Sequence, residues 1–168
     1  RQLRGREAAY VAQSAAAAFN PAIRIGDQVI ESTAIHQLMP RNDALREAIK
    51  LYQRLDLPDP EQLSSRYPHQ VSGGQLQRLM AAMAMSSSPS LLILDEPTTA
   101  LDVTTQISVL SAFKDLIRDQ NTAAIYVTHD LAVVAQIADR IVVMQNGKVM
   151  EAGSTEQIIS RPENAYTQ

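Results

Sequence analysis

Apolar positions along the chain alternate between two rhythms, and the changes of rhythm mark the elements. Tyr10 and Val11 within residues 8–12 read as a short strand. Residues 13–29 read as a loop around Asn20-Pro21, because the residue before a proline is pushed out of the helical region. From Gln28 to Leu57 the spacing is mostly helical, with a break at Pro40. Asn42 or Asp43 is placed to cap a helix through Leu55 that carries Leu45, Ile49 and Tyr52 at helical spacing. Residues 57–70 hold Pro58, Pro60 and Pro68 and read as a connector with short turns.

A helix is expected from Gln75 to about Ser86, where Leu76, Leu79, Met80, Met83 and Ala84 form one apolar stripe. Leu91 to Asp95 is an apolar run bounded by turn residues, the pattern of a strand buried on both faces. Val103 to Asp119 reads as a long helix with Val109, Leu110, Phe113, Leu116 and Ile117 on its buried side. Residues 123–129 read as a second buried strand, and Leu131 to Ala138 as helix. Residues 140–153 read as a hairpin turning at Asn146-Gly147. Ser154 caps a last short helix to Ser160, with Gln157 as its box partner. Strand and helix alternate in the C-terminal half, so an α/β fold with a mostly parallel sheet is expected. Residues 14–88 are expected to form a helical lobe inserted between residues 1–13 and residues 89–168 of the core.

Charge and composition narrow the function without fixing it. The 168 residues carry 18 acidic and 15 basic side chains, a net charge of −3, which argues against a nucleic-acid binder or a coat on anionic lipid. The absence of cysteine excludes disulfides, a thiolate nucleophile and Cys-ligated metal. No apolar run approaches the ~18–20 residues that span a bilayer. The polar opening RQLRGREAAY lacks the pattern of a signal peptide, so a soluble intracellular protein is expected.

Four short stretches carry candidate chemistry. Asp95 and Glu96 end the apolar run LLILD, and strand carboxyl ends are where open α/β sheets hold ligands. Asp95 suits Mg²⁺ through water, and Glu96 suits activation of a water molecule; an ordinary Asp-Glu-Pro turn explains the same residues. Ser72-Gly73-Gly74-Gln75 precedes a helix, where free N–H groups and the helix dipole favour an anion; a plain helix cap fits as well. His129, in Thr128-His129-Asp130, follows the second strand and is placed to donate to a phosphate or carbonyl. Gln13 follows the first strand, within amide reach of a metal or water. For His36 and His69 a structural role is the simpler reading.

Taken in order, these motifs resemble the nucleotide-binding domain of ABC transporters. VSGGQ (71–75) resembles the family's signature motif, LLILDE (91–96) its Walker B segment, TALD (99–102) its D-loop, and VTHD (127–130) its H-loop; Gln13 resembles the Q-loop glutamine. LRGREAAYVAQ, FNPAIRIGDQV and RPENAYTQ further resemble the ATPase subunits of dipeptide and oligopeptide importers. The resemblance implies ATP and Mg²⁺ as ligands. It implies that Glu96 activates water, His129 contacts the γ-phosphate, and Asp95 and Gln13 serve Mg²⁺. It implies that Ser72, Gly73, Gly74 and Gln75 grip a nucleotide held by a second ATPase subunit, with Asp102 at that dimer interface. Implied partners are this second subunit, in a homo- or heterodimer, transmembrane permease subunits met by the lobe and the loop after Gln13, and a solute-binding protein indirectly. The implied location is cytoplasmic, peripheral on the inner face of the cell membrane.

The P-loop pattern G-x-x-x-x-G-K-[ST] does not occur; the sole Gly-Lys, Gly147-Lys148, precedes valine. The chain is therefore expected to be the C-terminal two-thirds of a domain, inactive on its own and prone to self-association through an open edge at Leu91–Asp95. Alternative readings are a soluble ABC ATPase without membrane partners and a non-enzymatic interaction fragment.

Overall fold

A computed structural model describes residues 5–98 and 103–168. The chain divides into two compact units, Arg1–Val127 and Thr128–Gln168. The first is built on β1 (Ala8–Val11), β2 (Leu91–Asp95) and β3 (Ala123–Val127), a parallel sheet in the order β1-β2-β3. Tyr10 pairs with Ile93 across one junction, and Ile93 with Ile125 across the other. Parallel strands need long crossovers. The first carries α1 (Ala15–Ala18), α2 (Ile25–Val29), α3 (Glu31–Ile35), α4 (Arg41–Arg54), α5 (Pro60–Leu63) and α6 (Gly73–Met85); the second carries α7 (Val103–Asp119).

The core gathers on one face of this sheet. Helix α6 packs against α1, α2, α4, α7 and β1, and buries Leu79, Met80, Ala82 and Met85. Val11, Leu92 and Leu94 point into the same core, joined by Tyr52 from α4 and by Val109, Phe113 and Leu116 from α7. Gly26 lets α2 lie against the chain at Ser64: a Cβ there would come within 2.6 Å of the Ser64 Cβ. The Gly26 N–H donates to the Ser64 carbonyl at 3.1 Å.

Several expectations shift. Residues 15–18 form a helical turn where a loop is expected, because Ser14 caps a run of alanines, the best helix formers. Helix α4 starts at Arg41, with Pro40 rather than Asn42 or Asp43 at its cap position. The sheet is not buried on both faces. Tyr10, Ile125 and Val127 share its open face and are 56%, 52% and 48% exposed, because the described helices of this unit pack on the other side. Nor is Leu91–Asp95 an open edge. It is paired on both sides, and among the described residues the open edges of the sheet are those of β1 and β3.

The second unit comprises α8 (Leu131–Ile137), β4 (Arg140–Gln145), β5 (Lys148–Ser154) and α9 (Thr155–Ser160). Strands β4 and β5 are antiparallel. Their turn places Asn146 and Gly147 at φ 50° and 75°, the left-handed pair that matches the twist of a tight hairpin. Ser154 caps α9, its Oγ accepting the Gln157 N–H at 3.2 Å. Among the described residues no helix is long and apolar enough to cross a membrane.

Candidate active site at the strand carboxyl ends

The parallel sheet delivers Gln13, Asp95 and Glu96 to one end because β1 and β2 run in register and stop together. Asp95 stays on the pleat beside Tyr10, whose hydroxyl donates to Asp95 Oδ2 at 2.6 Å. That bond to a carboxylate pushes the Tyr10 phenol above its ordinary value. Glu96 leaves the strand in the left-handed region, at φ 46°. Its N–H donates to the Val127 carbonyl at 2.9 Å, and its Oε2 accepts the Gln13 amide at 2.9 Å.

The rest of the turn is held from other elements. The Pro97 carbonyl accepts the Gln77 amide from α6. Thr98 shares a hydrogen bond with the Tyr126 hydroxyl at 3.2 Å, and its Oγ1 also accepts the Gln106 amide at 3.2 Å. No sequence motif marks Tyr10, Gln77 or Tyr126 as part of the site; Tyr10 reads there only as a strand former. The register that pairs Tyr10 with Ile93 places Tyr10 and Asp95 on one face of the sheet, and alternation within each strand alone does not fix that register. The reach of Gln77 depends on how α6 crosses the sheet, which no local pattern carries.

Ser72 to Gln75 stand together as a capping box. Ser72 Oγ accepts the Gln75 N–H at 3.3 Å, and Gln75 Oε1 accepts the Ser72 N–H at 2.8 Å. Both glycines lie inside the first turn of α6. A Cβ on Gly73 would meet nothing within 4 Å, so packing inside this chain does not call for glycine there. His129 belongs to the second unit, next to Asp130, whose Oδ1 accepts the N–H groups of Ala132 and Val133 and caps α8. Asp102 and the rest of residues 99–102 lie outside the described residues.

The donor set at Asp95, Glu96 and Gln13 is all hard oxygen, the chemistry Mg²⁺ takes. Among the described residues no cluster of three or more His, Cys, Asp or Glu is arranged to hold a metal. Mg²⁺ needs no such cage, since it typically uses one or two carboxylates together with water and substrate phosphates. Asp95 therefore fits Mg²⁺ in the presence of a polyphosphate.

Residues 1–99 match the ABC transporter family. Over 167 residues the chain is 44% identical to the Glutathione import ATP-binding protein GsiA of Escherichia coli (strain K12), covering 99% of this chain and 27% of that protein. It is 45% identical over 168 residues to the protein of the same name from Salmonella choleraesuis (strain SC-B67), covering 100% of this chain and again 27% of the relative. Among solved structures, a dimeric post-hydrolysis state of the ATP-binding cassette MJ0796 bound to ADP and Pi superposes with a TM-score of 0.73 at 24% identity. That match covers 90% of this chain and 64% of the other and bears on the fold.

Proposed function

Because this chain belongs to the ABC transporter family, we propose that it is part of an ATP-hydrolysing subunit that powers import of peptides or related small solutes. The observation that carries the reading is the grouping of Gln13, Asp95 and Glu96 at the carboxyl ends of two paired parallel strands. The names of the relatives support an importer, and glutathione, a small peptide, falls within the proposed solute class.

In this reading Asp95 would hold Mg²⁺. The metal, when bound, neutralises charge across the β- and γ-phosphates. Glu96 accepts a proton from a water whose oxygen attacks the γ-phosphorus; the bond to the ADP oxygen breaks and inorganic phosphate leaves. Gln13, bonded to Glu96 Oε2, keeps that carboxylate aimed. His129 donates a hydrogen bond to the γ-phosphate. Ser72, Gly73, Gly74 and Gln75 offer N–H groups and a hydroxyl to a nucleotide held by a second ATPase subunit, and Asp102 lies at that interface. Permease subunits in the membrane receive the work, which puts the protein on the inner face of the cell membrane.

The test is phosphate release from ATP by a form of the protein that carries a P-loop. Turnover is expected to require Mg²⁺, to stop on chelation and to rise more steeply than linearly with subunit concentration. Absence of turnover, or turnover indifferent to chelation, contradicts the reading.

A further inference from the structure

Pro97 has no N–H, so its carbonyl is the one backbone group by which it is held. That carbonyl accepts the side-chain amide of Gln77, which is 3% exposed on α6. A buried amide left without a partner carries the full desolvation penalty, so α6 and the 95–98 turn are matched to one another. Glu96 sits immediately before Pro97, at φ 46°. A residue other than glycine stays in that region only where its surroundings over-determine it. Backbone bonds on both sides of Glu96 hold it: its own N–H on Val127, at 2.9 Å, and the Pro97 carbonyl on Gln77.

Helix α6 also begins at the Ser72 cap. At 1.5 Å of rise per residue, Ser72 and Gln77 stand about 7.5 Å apart along the axis, on one rigid element. We propose that Gln77 is a positioning residue for Glu96, and that through the Pro97 carbonyl it ties the N-terminal end of α6 to the carboxylate turn of the same chain. The inference rests on the proposed role of Glu96 as base. Contact made at Ser72 by another subunit's nucleotide then bears on hydrolysis in this chain's own site, because helix and turn move together.

Gln77→Met keeps the length of the side chain and removes the donor; Gln77→Leu is a second apolar replacement. In a form of the protein that carries a P-loop, kcat is expected to fall about 10- to 100-fold, the scale of a misplaced catalytic group. The dissociation constant for Mg-ATP is expected to stay unchanged. Unchanged kcat, or a loss of nucleotide affinity in step with kcat, overturns the proposal. A second measurement leaves Gln77 intact: amide hydrogen exchange at Glu96 and Thr98 with Mg-ATP, in the wild type and in Ser72→Arg. Different protection is expected, and identical protection overturns the link. Full turnover in Glu96→Gln would bring down the assigned base itself. An inactive Glu96→Gln beside a fully active Gln77→Met would bring down this inference alone.

Discussion

Glu96 and Tyr52 show two ways in which single residues are constrained here. The left-handed backbone of Glu96 costs about 1–2 kcal/mol for an L residue, and it is held by bonds from β3, from Gln13 and, through Pro97, from α6. Tyr52 is constrained by burial. Its phenol lies fully inside the core of the first unit, and burial pushes its pKa up to about 12. The sign follows from the folded value exceeding the unfolded one. The contribution is fully present below pH ~10 and is lost as the pH rises through about 12, on the order of 3 kcal/mol for a shift of that size. Stability measured by denaturant from pH 9 to 12 should therefore fall less steeply in Tyr52→Phe than in the wild type. Equal slopes would mean that the Tyr52 phenol is hydrated in the folded state.

At the scale of elements, α6 answers for both a cap and a candidate anion site. The capping box at Ser72 and Gln75 satisfies the helix end, so the geometry of one chain does not separate the two roles. Ser72→Asp does. Aspartate caps a helix as well as serine does, but sets a negative charge where the γ-phosphate of the second subunit would sit. The expected result is an unchanged melting temperature with loss of ATP-driven dimers in size-exclusion chromatography. Dimers that persist would reduce Ser72 and the glycines to a cap. Ser72→Ala should instead lose about 1 kcal/mol of stability with the cap.

Elements whose periodicity is their own were legible in the sequence: α7 over Val103–Asp119, β2 over Leu91–Asp95, and the hairpin at Asn146-Gly147. The exposure of β3 was not legible, since an apolar run states what a strand can bury and not what covers it. The start of α6 at Gly73 was hidden by the low helix propensity of glycine, which the cap overrides. The grouping of Gln13 with Glu96 could be placed from motif order, whereas Tyr10 on Asp95 and Gln77 on Pro97 needed strand register and helix packing.

For the molecule as a whole, the proposed function puts two half-sites of opposite allegiance within the first unit. In the proposed reading, Gln13, Asp95 and Glu96 serve a nucleotide held by their own subunit, and Ser72 to Gln75 serve one held by another. On that proposal, activity is a property of a pair of subunits. Under the proposed function, Mg²⁺ would share the charge of a polyphosphate and so suit it to a carboxylate-rich site in a chain of net charge −3. The chain spans 27% of the length of the relatives named above. The decisive measurement is ATP affinity and single-turnover hydrolysis in Glu96→Gln, side by side with the wild type. Glu96 as general base predicts unchanged Mg-ATP affinity with the rate lowered about 10²- to 10⁴-fold. Hydrolysis at the wild-type rate, or a rate lost only because ATP no longer binds, would contradict it.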